Sequence, residues 1–352
     1  MAAESVRVGI VGAGANTRLR HIPGFLAIEN VEIVGVVNRT PESTAKVAED
    51  FDISHTYPDW RALIEDRDVD AVMIGTWPNL HCEVTCAALE SGKHVLTEAR
   101  MARNACEAHR MQAAAEAHPH LVKQIVPSPF GLEQNDSLRE LIADGFLGQL
   151  REVIVIGATD TFRSTDEPLH WRQETEISGM NILTMGILHE AVLRWTPPPT
   201  RVFAQATLFN QERLPSPHTG ATRASVPDSV QVITQLEGGA RGLYHLSGLS
   251  LFGPGHQIHL YGSEGTVRFE LTPEARLLVG RAGDSELAAA DIPLEKRGGW
   301  RVEAEFIGAI RGEEPVRLTD FASGVQYMEF TEAVTRSAAS NQPVDLPLSD
   351  FL

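Results

Sequence analysis

The chain is short of cysteine, short of positive charge and without a long uninterrupted apolar run, and each shortage excludes a class of protein. Cys82, Cys86 and Cys106 are an odd number in 352 residues, which excludes a scaffold built on disulfides. Cys82 and Cys86 lie one helical turn apart beside His81, but two thiols on an alanine-rich helix read as packing residues, and no metal is expected. With 30 basic against 47 acidic side chains the formal net charge is -17, so a phosphate backbone is excluded and nucleic acid is no partner. No apolar run reaches membrane-spanning length, and Met1 to Ser5 lacks the basic start and apolar segment of a secretory leader. The expectation is a cytoplasmic protein with no membrane partner.

What the chain does have is an apolar run, Val6 to Val11, that breaks into closely spaced glycines, Gly12-Ala13-Gly14-Ala15-Asn16. This reads as a buried strand turning into a helix. Gly12 and Gly14 remove the side chains that would hold a pyrophosphate away from the turn, and Ala15 and Asn16 open the helix that follows. The last position of the G-x-G-x-x-G pattern is Thr17, which predicts a slightly wider spacing between helix and strand. A second strand, Val31 to Val37, ends at Asn38-Arg39-Thr40, where the adenine ribose of a dinucleotide should lie. An acid there would repel a 2′-phosphate; Asn38 has no charge and Arg39 offers a cationic fork, so NADP is preferred, with NAD left open.

Strands at 70–75, 94–97 and 121–126 alternate with helices at 79–91 and 104–117, which predicts a parallel sheet covered on both faces. Pro127-Ser128-Pro129 ends this pattern and divides a dinucleotide-binding domain, 1–127, from a second domain, 128–352. The second domain has helices near 138–143 and 181–195, the latter stopped by Pro197-Pro198-Pro199. Strand pattern dominates from 201 to 279, with hairpin turns at Glu237-Gly238-Gly239 and Ser263-Glu264-Gly265, so its sheet is expected to be open and mostly antiparallel. Helices near 301–311 and 320–340 complete an α/β protein.

The glycine turn, Gly75-Thr76-Trp77-Pro78-Asn79-Leu80-His81, Gly92-Lys93-His94-Val95-Leu96-Thr97-Glu98, Trp171-Arg172 and Ser178-Gly179 together resemble the Gfo/Idh/MocA family of nicotinamide-dependent oxidoreductases over nearly the whole chain. The resemblance implies an N-terminal Rossmann domain and a C-terminal α/β domain whose open sheet mediates homo-oligomers, dimers or tetramers. It also implies that a sugar or cyclitol alcohol is oxidised. Thr76, Trp77, Pro78, Asn79 and His81 would then line the cofactor, with Glu98 near the nicotinamide ribose. His81 also reads as a helix-start residue bonded to nearby backbone.

The departures concern proton transfer. The family follows its glutamate with Lys-Pro, where this chain has Ala99-Arg100, and alanine carries no proton. The family's Asp-x-Gly-x-His signature falls on Thr184-Met185-Gly186-Ile187-Leu188, so acid and histidine are both replaced. His189 comes one position late, a rotation of about 100° on a helix. Histidine suits proton transfer at neutral pH, which makes His170 and His189 the candidate replacements; each also reads as a histidine satisfied by neighbouring backbone. Arg100 and Arg172 could hold an acidic or hydroxyl-rich substrate, Asn181 a sugar hydroxyl, and Trp171 the face of a sugar ring. The expected function is hydride transfer between NAD(P) and such an alcohol. A cofactor-retaining lyase or glycosidase working by transient oxidation, and a non-catalytic NAD(P)-binding protein, are the alternatives. The short-chain dehydrogenase mechanism is excluded because no Tyr-x-x-x-Lys pair occurs.

Overall fold

Continuous apolar runs build the first sheet. A computed structural model describes residues 5–272 and 274–351 and divides the chain into two units. The first unit holds six parallel strands: β1 (Val6–Val11), β2 (Val31–Val37), β3 (His55–Thr56), β4 (Ala71–Ile74), β5 (His94–Thr97) and β6 (Lys123–Ile125), in the order β3-β2-β1-β4-β5-β6. Every residue of β4 is buried, as a strand with helices over both faces requires. The order reverses direction at β1, so the crevice past the carboxyl ends of β1 and β4 is the topological switch point.

Beyond the glycines the chain winds first as a π-helical turn, Thr17–His21, and then as α1 (Ile22–Leu26). The remaining crossovers are α2 (Pro41–Phe51), α3 (Trp60–Glu65), α4 (Pro78–Glu90) and α5 (Ala105–Ala117). Local chemistry sets their starts. Thr40 accepts from the Ser43 N–H at 3.2 Å, Asp59 from Ala62 at 3.0 Å, Asn104 from Glu107 at 2.9 Å, and Pro78 takes the first turn of α4. Lys93, buried between strands, donates from Nζ to the carbonyls of Asp66 (2.8 Å) and Val69 (2.6 Å), which fixes the turn into β5.

The second unit carries nine strands: β7 (Leu150–Ala158), β8 (Pro199–Thr207), β9 (Ser229–Leu236), β10 (Arg241–Ser247), β11 (Gly255–Gly262), β12 (Gly265–Glu270), β13 (Arg276–Arg281), β14 (Ala288–Ala289) and β15 (Val344–Asp345). All neighbours pair antiparallel except β7 with β10. Burial alternates strictly along β9, the mark of a sheet covered on one face. On the other face Ile233 stands beside its cross-strand partner Leu243, and both are exposed. The helices of this unit include α6 (Asn135–Ala143), α7 (Thr175–Ser178) and α8 (Met185–Leu193), and α8 lies on β7 with Leu188 against Gly157. The helix expected from Asn181 starts only at Met185. Leu183 adopts a left-handed φ of 48°, and Asn181 donates to the Ser178 carbonyl at 2.7 Å instead of entering the helix.

The chain crosses between units more than once. Residues 301–325, including α9 (Val302–Ile310), belong to the first unit, and α10 (Phe321–Ser340) begins there. Phe306 meets Phe25 edge to face at 6.4 Å, Gln124 donates to Glu305 at 2.8 Å, and the Ile125 N–H on the last strand donates to the Thr319 carbonyl at 2.9 Å. The linear division at residue 127 therefore leaves out a segment that covers an otherwise open sheet edge, and hydrophobic periodicity could not assign that segment to its unit. Among the described residues no helix is long and apolar enough to cross a membrane.

Candidate active site

Gly12 has a φ of +87°, and a Cβ there would come within 2.8 Å of the Thr76 backbone nitrogen, so both conformation and space demand glycine. Thr17, at the third position of the fingerprint, is fully buried, and its hydroxyl donates to the Gly12 carbonyl at 3.2 Å. The room for it comes from Gly75, whose Cβ would collide with the Thr17 side chain. A glycine on the neighbouring strand thus compensates for the one missing from the helix. Gly14 differs from both. It is exposed, and its Cβ would meet nothing nearer than the Gly75 carbonyl at 3.6 Å. Protein packing does not need it bare, and the exposed Gly14-Ala15 backbone leaves room for a ligand to approach. This cradle fits the diphosphate of a dinucleotide.

Asn38 is drawn into the protein. Its Oδ1 accepts from the Ala13 N–H at 2.6 Å and its Nδ2 donates to the Ser43 carbonyl at 3.3 Å, so it braces the glycine turn against α2. Arg39 beside it is exposed, and its guanidinium lies over the Trp77 ring at 5.3 Å, linking the ends of β2 and β4. At the start of α4 the Asn79 Oδ1 is buried with no hydrogen-bond partner among the described residues, an acceptor oxygen at the ligand-binding edge of the sheet.

His81 is fully buried, with Nδ1 2.8 Å from the Arg100 carbonyl and Nε2 2.9 Å from the Thr76 carbonyl. Burial pushes its pKa down, and a neutral ring carries one N–H to share between two acceptors. It acts as a staple between the two loops that carry Thr76 and Glu98. Both backbone partners agree with the reading of His81 as a helix-start residue.

Glu98 lies at the same edge, after β5. Its Oε1 accepts from Asn16 Nδ2 at 2.5 Å and sits 3.1 Å from His21 Nε2, and its Oε2 accepts from the Ala99 N–H at 3.1 Å. The other His21 nitrogen, Nδ1, is 2.5 Å from Glu303 Oε1. Burial disfavours a charged His21, but hydrogen bonds to Glu303 and Glu98 outweigh it and raise the pKa from 6.5 to about 9. Burial likewise opposes a charged Glu98, yet His21 and Asn16 hold its carboxyl below the ordinary value. His21 and Glu303 were missed in the sequence. The available signal was a histidine four residues after Thr17 in the stretch that follows the glycines; Glu303 had none.

In the second unit His170, Trp171 and Arg172 form one cluster. His170 caps the short turn Trp171–Gln173: its Nδ1 accepts from the Arg172 N–H at 3.1 Å, and its ring packs 5.5 Å from Trp171 and 6.0 Å from Phe162. The Arg172 guanidinium lies over Trp171 at 4.2 Å. Burial, then the charges of Arg172 and His218, lower the His170 pKa to about 4. With Nδ1 accepting, the neutral ring carries its proton on Nε2. His189 is elsewhere, fully buried, stacked 3.7 Å from Phe330 with Nδ1 2.8 Å from the Tyr244 hydroxyl. Burial lowers its pKa to about 3, and its Nε2 has no partner among the described residues. Asn181 is buried and bonded to Ser178; Arg100 is buried in the first unit. Thr184 and Leu188 both face Gly157, and the Thr184 hydroxyl is 3.2 Å from His256 Nε2.

A doubly wound sheet with a bare phosphate turn at its switch point defines a dinucleotide-binding α/β protein. Residues 6–125 match the model described as "Oxidoreductase family, NAD-binding Rossmann fold", and residues 136–268 match the GFO/IDH/MocA C-terminal domain. The chain belongs to the GFO/IDH/MocA oxidoreductase family, whose members depend on a nicotinamide dinucleotide. It is similar to the 1,5-anhydro-D-fructose reductase of Ensifer adhaerens, 26% identical over 97% of this chain and 98% of that one. It is also similar to the inositol 2-dehydrogenase of Pseudomonas fluorescens, 28% identical over 54% of each chain. In fold it is similar to a levoglucosan dehydrogenase solved with NADH and levoglucosan, with a TM-score of 0.86 and 22% identity over 98% of this chain and all of that one.

Proposed function

We propose that this chain transfers a hydride between a nicotinamide dinucleotide, NADP by preference, and a hydroxyl-bearing carbon of a sugar or cyclitol. The observation that carries the reading is the exposed, bare Gly14 at the same sheet edge as an exposed Arg39 and the orphan Asn79 oxygen. Two of the relatives, an anhydrofructose reductase and an inositol dehydrogenase, support the substrate class. When bound, the nicotinamide supplies the site that accepts or gives the hydride.

The chain's own residues do the rest. Gly12, Gly14 and Ala15 receive the diphosphate, Thr40 and Arg39 the adenosine end, and Thr76, Trp77, Pro78, Asn79 and Glu98 the remainder, with Asn16 and Asn38 bracing the turn. Arg39, exposed at the end of β2 with its guanidinium over Trp77, suits a 2′-phosphate. Trp171, Arg172, Arg100 and Asn181 are assigned to the substrate. His170 is assigned to the reacting oxygen: the neutral ring donates from Nε2, which suits a carbonyl oxygen being reduced, and accepting an alcohol proton requires the Arg172 N–H to release Nδ1. His189, sealed against Phe330, is the second choice.

The outward face of the second sheet, with Ile233 beside Leu243, supports a homo-oligomer, and three free cysteines suit a reducing cytoplasm. The test is titration of the purified protein with NADP and NAD, followed by turnover with a panel of sugars and cyclitols. Nicotinamide reduction matched to alcohol consumed is the expected result. Ala99, Thr184 and Leu188 at the proton-transfer positions favour a second reading, transient oxidation on a retained cofactor, which gives turnover without net reduction. No binding at millimolar cofactor overturns both.

A further inference from the structure

His21 is a fully buried group of the first unit held between two carboxylates, and the oxidoreductase reading does not use it. We propose that His21 is a positioning residue of the cofactor site: clamped between Glu303 and Glu98, its charged ring fixes the Glu98 carboxylate and the Asn16 amide beneath the glycine turn and so sets the affinity for the dinucleotide. The inference rests on the nicotinamide-binding reading above.

The geometry supports it from several sides. His21 Nδ1 lies 2.5 Å from Glu303 Oε1 and Nε2 lies 3.1 Å from Glu98 Oε1, so against two ionised carboxylates both contacts are hydrogen bonds when both ring nitrogens carry a proton. The ring is sealed, with 0% of its side chain exposed, against 4% for Glu303 and 15% for Glu98. A Cβ on Gly24 would come within 2.8 Å of the Glu303 carboxylate, so the helix leaves room for that acid. The π-helical turn sets residues five apart on one face, so Asn16 Nδ2 and the Nε2 of the charged His21 ring, 3.3 Å apart and both donors, converge on the same Glu98 Oε1 instead of bonding each other. Asn16 is two residues past Gly14.

Charge gives this arrangement a consequence. The titratable groups facing the cluster are Glu98 from the end of β5, Glu303 from α9 and, beyond Glu98, the buried His81. With His21 charged the two carboxylates and the ring sum to one negative charge; with His21 neutral the sum is two. The diphosphate is an anion, so losing the imidazolium both releases Glu98 and raises the negative charge near the turn. Binding and protonation of His21 are therefore coupled.

The experiment uses the full chain and has readouts other than turnover. The first is the His21 ring 15N shifts of the ligand-free protein, which should report an imidazolium through pH 8. The second is the NADPH dissociation constant from pH 6.5 to 10, with circular dichroism confirming the fold at each pH. It should stay level to about pH 8 and weaken about five-fold or more by pH 10. Glu303→Gln should move that midpoint down by about one pH unit or more, and His21→Gln should remove the pH dependence. A neutral His21 at pH 7, or affinity that is level to pH 10 in the folded wild type, overturns the assignment alone. Failure to bind NADPH or NADH at pH 7 overturns the nicotinamide reading and this inference with it.

Discussion

His21 and Glu303, 282 positions apart in the chain, meet at 2.5 Å inside the first unit. The contact makes stability depend on alkali. The folded pKa of His21 is about 9, above its ordinary 6.5, so the folded state holds the proton more tightly than the unfolded chain. The contribution is fully present below pH 6.5 and is lost as pH rises through 9. Its ceiling is on the order of 3 kcal/mol, from a raised pKa of this size. Denaturant melts of wild type and Glu303→Gln between pH 6 and 10 check this. The wild type should lose stability across that interval and the variant much less; parallel curves would refute the coupling.

The two glycines of the turn should separate in experiment. Gly12→Ala puts a side chain at a φ of +87° and against Thr76, costing about 1–2 kcal/mol from the backbone alone, and lowers both melting temperature and cofactor binding. Gly14→Val puts its Cβ in ordinary contact with the Gly75 carbonyl at 3.6 Å and against nothing nearer, so its melting temperature should stay close to wild type while affinity for NADPH falls about ten-fold or more. Equal losses of stability in both variants would show that Gly14 is kept for packing.

Arg39 should decide between the two cofactors. A charge-assisted hydrogen bond is worth about 1.5–3 kcal/mol, so Arg39→Ala should weaken NADP binding about ten- to a hundred-fold and NAD binding little. Paired titrations measure the ratio. An equal loss for both would assign Arg39, over Trp77, to adenine stacking and not to a phosphate.

Much of this was legible because local rules and chain order coincide in the first unit. Buried parallel strands make unbroken apolar runs, and the strands at Ala71–Ile74 and His94–Thr97 fall where those runs do. The Thr17 departure was legible too, but not its remedy, because Gly75 acts from a neighbouring strand. Asn38 could be placed at the end of β2 but not read as a brace, since its partner Ala13 comes from another loop. Helices were read near 301–311 and 320–340, but the segment 301–325 was not assigned to the first unit, because nothing in periodicity tells which sheet a helix covers. His189 shows the same limit: its helix was visible, and the Phe330 ring against it was not.

His189 and His170 offer the sharpest contrast. His189 is stacked on Phe330 and bonded to Tyr244, so His189→Ala leaves a cavity and an unsatisfied hydroxyl and should cost about 2–4 kcal/mol. Its folded pKa of about 3 lies below the ordinary 6.5, so between those values the unfolded chain binds the extra proton. The contribution is whole above pH 6.5 and is lost as pH falls toward 3, at up to about 1.4 kcal/mol per pH unit. Removing the ring should therefore flatten the acid side of the stability curve and leave kcat of the folded enzyme near wild type. His170→Ala, on an exposed loop, should do the reverse: little change in melting temperature and a fall in kcat of about a hundred-fold, the usual scale for an acid-base group. Turnover lost in a folded His189→Ala protein, with His170→Ala still active, would move the proton-transfer role into the core of the second unit.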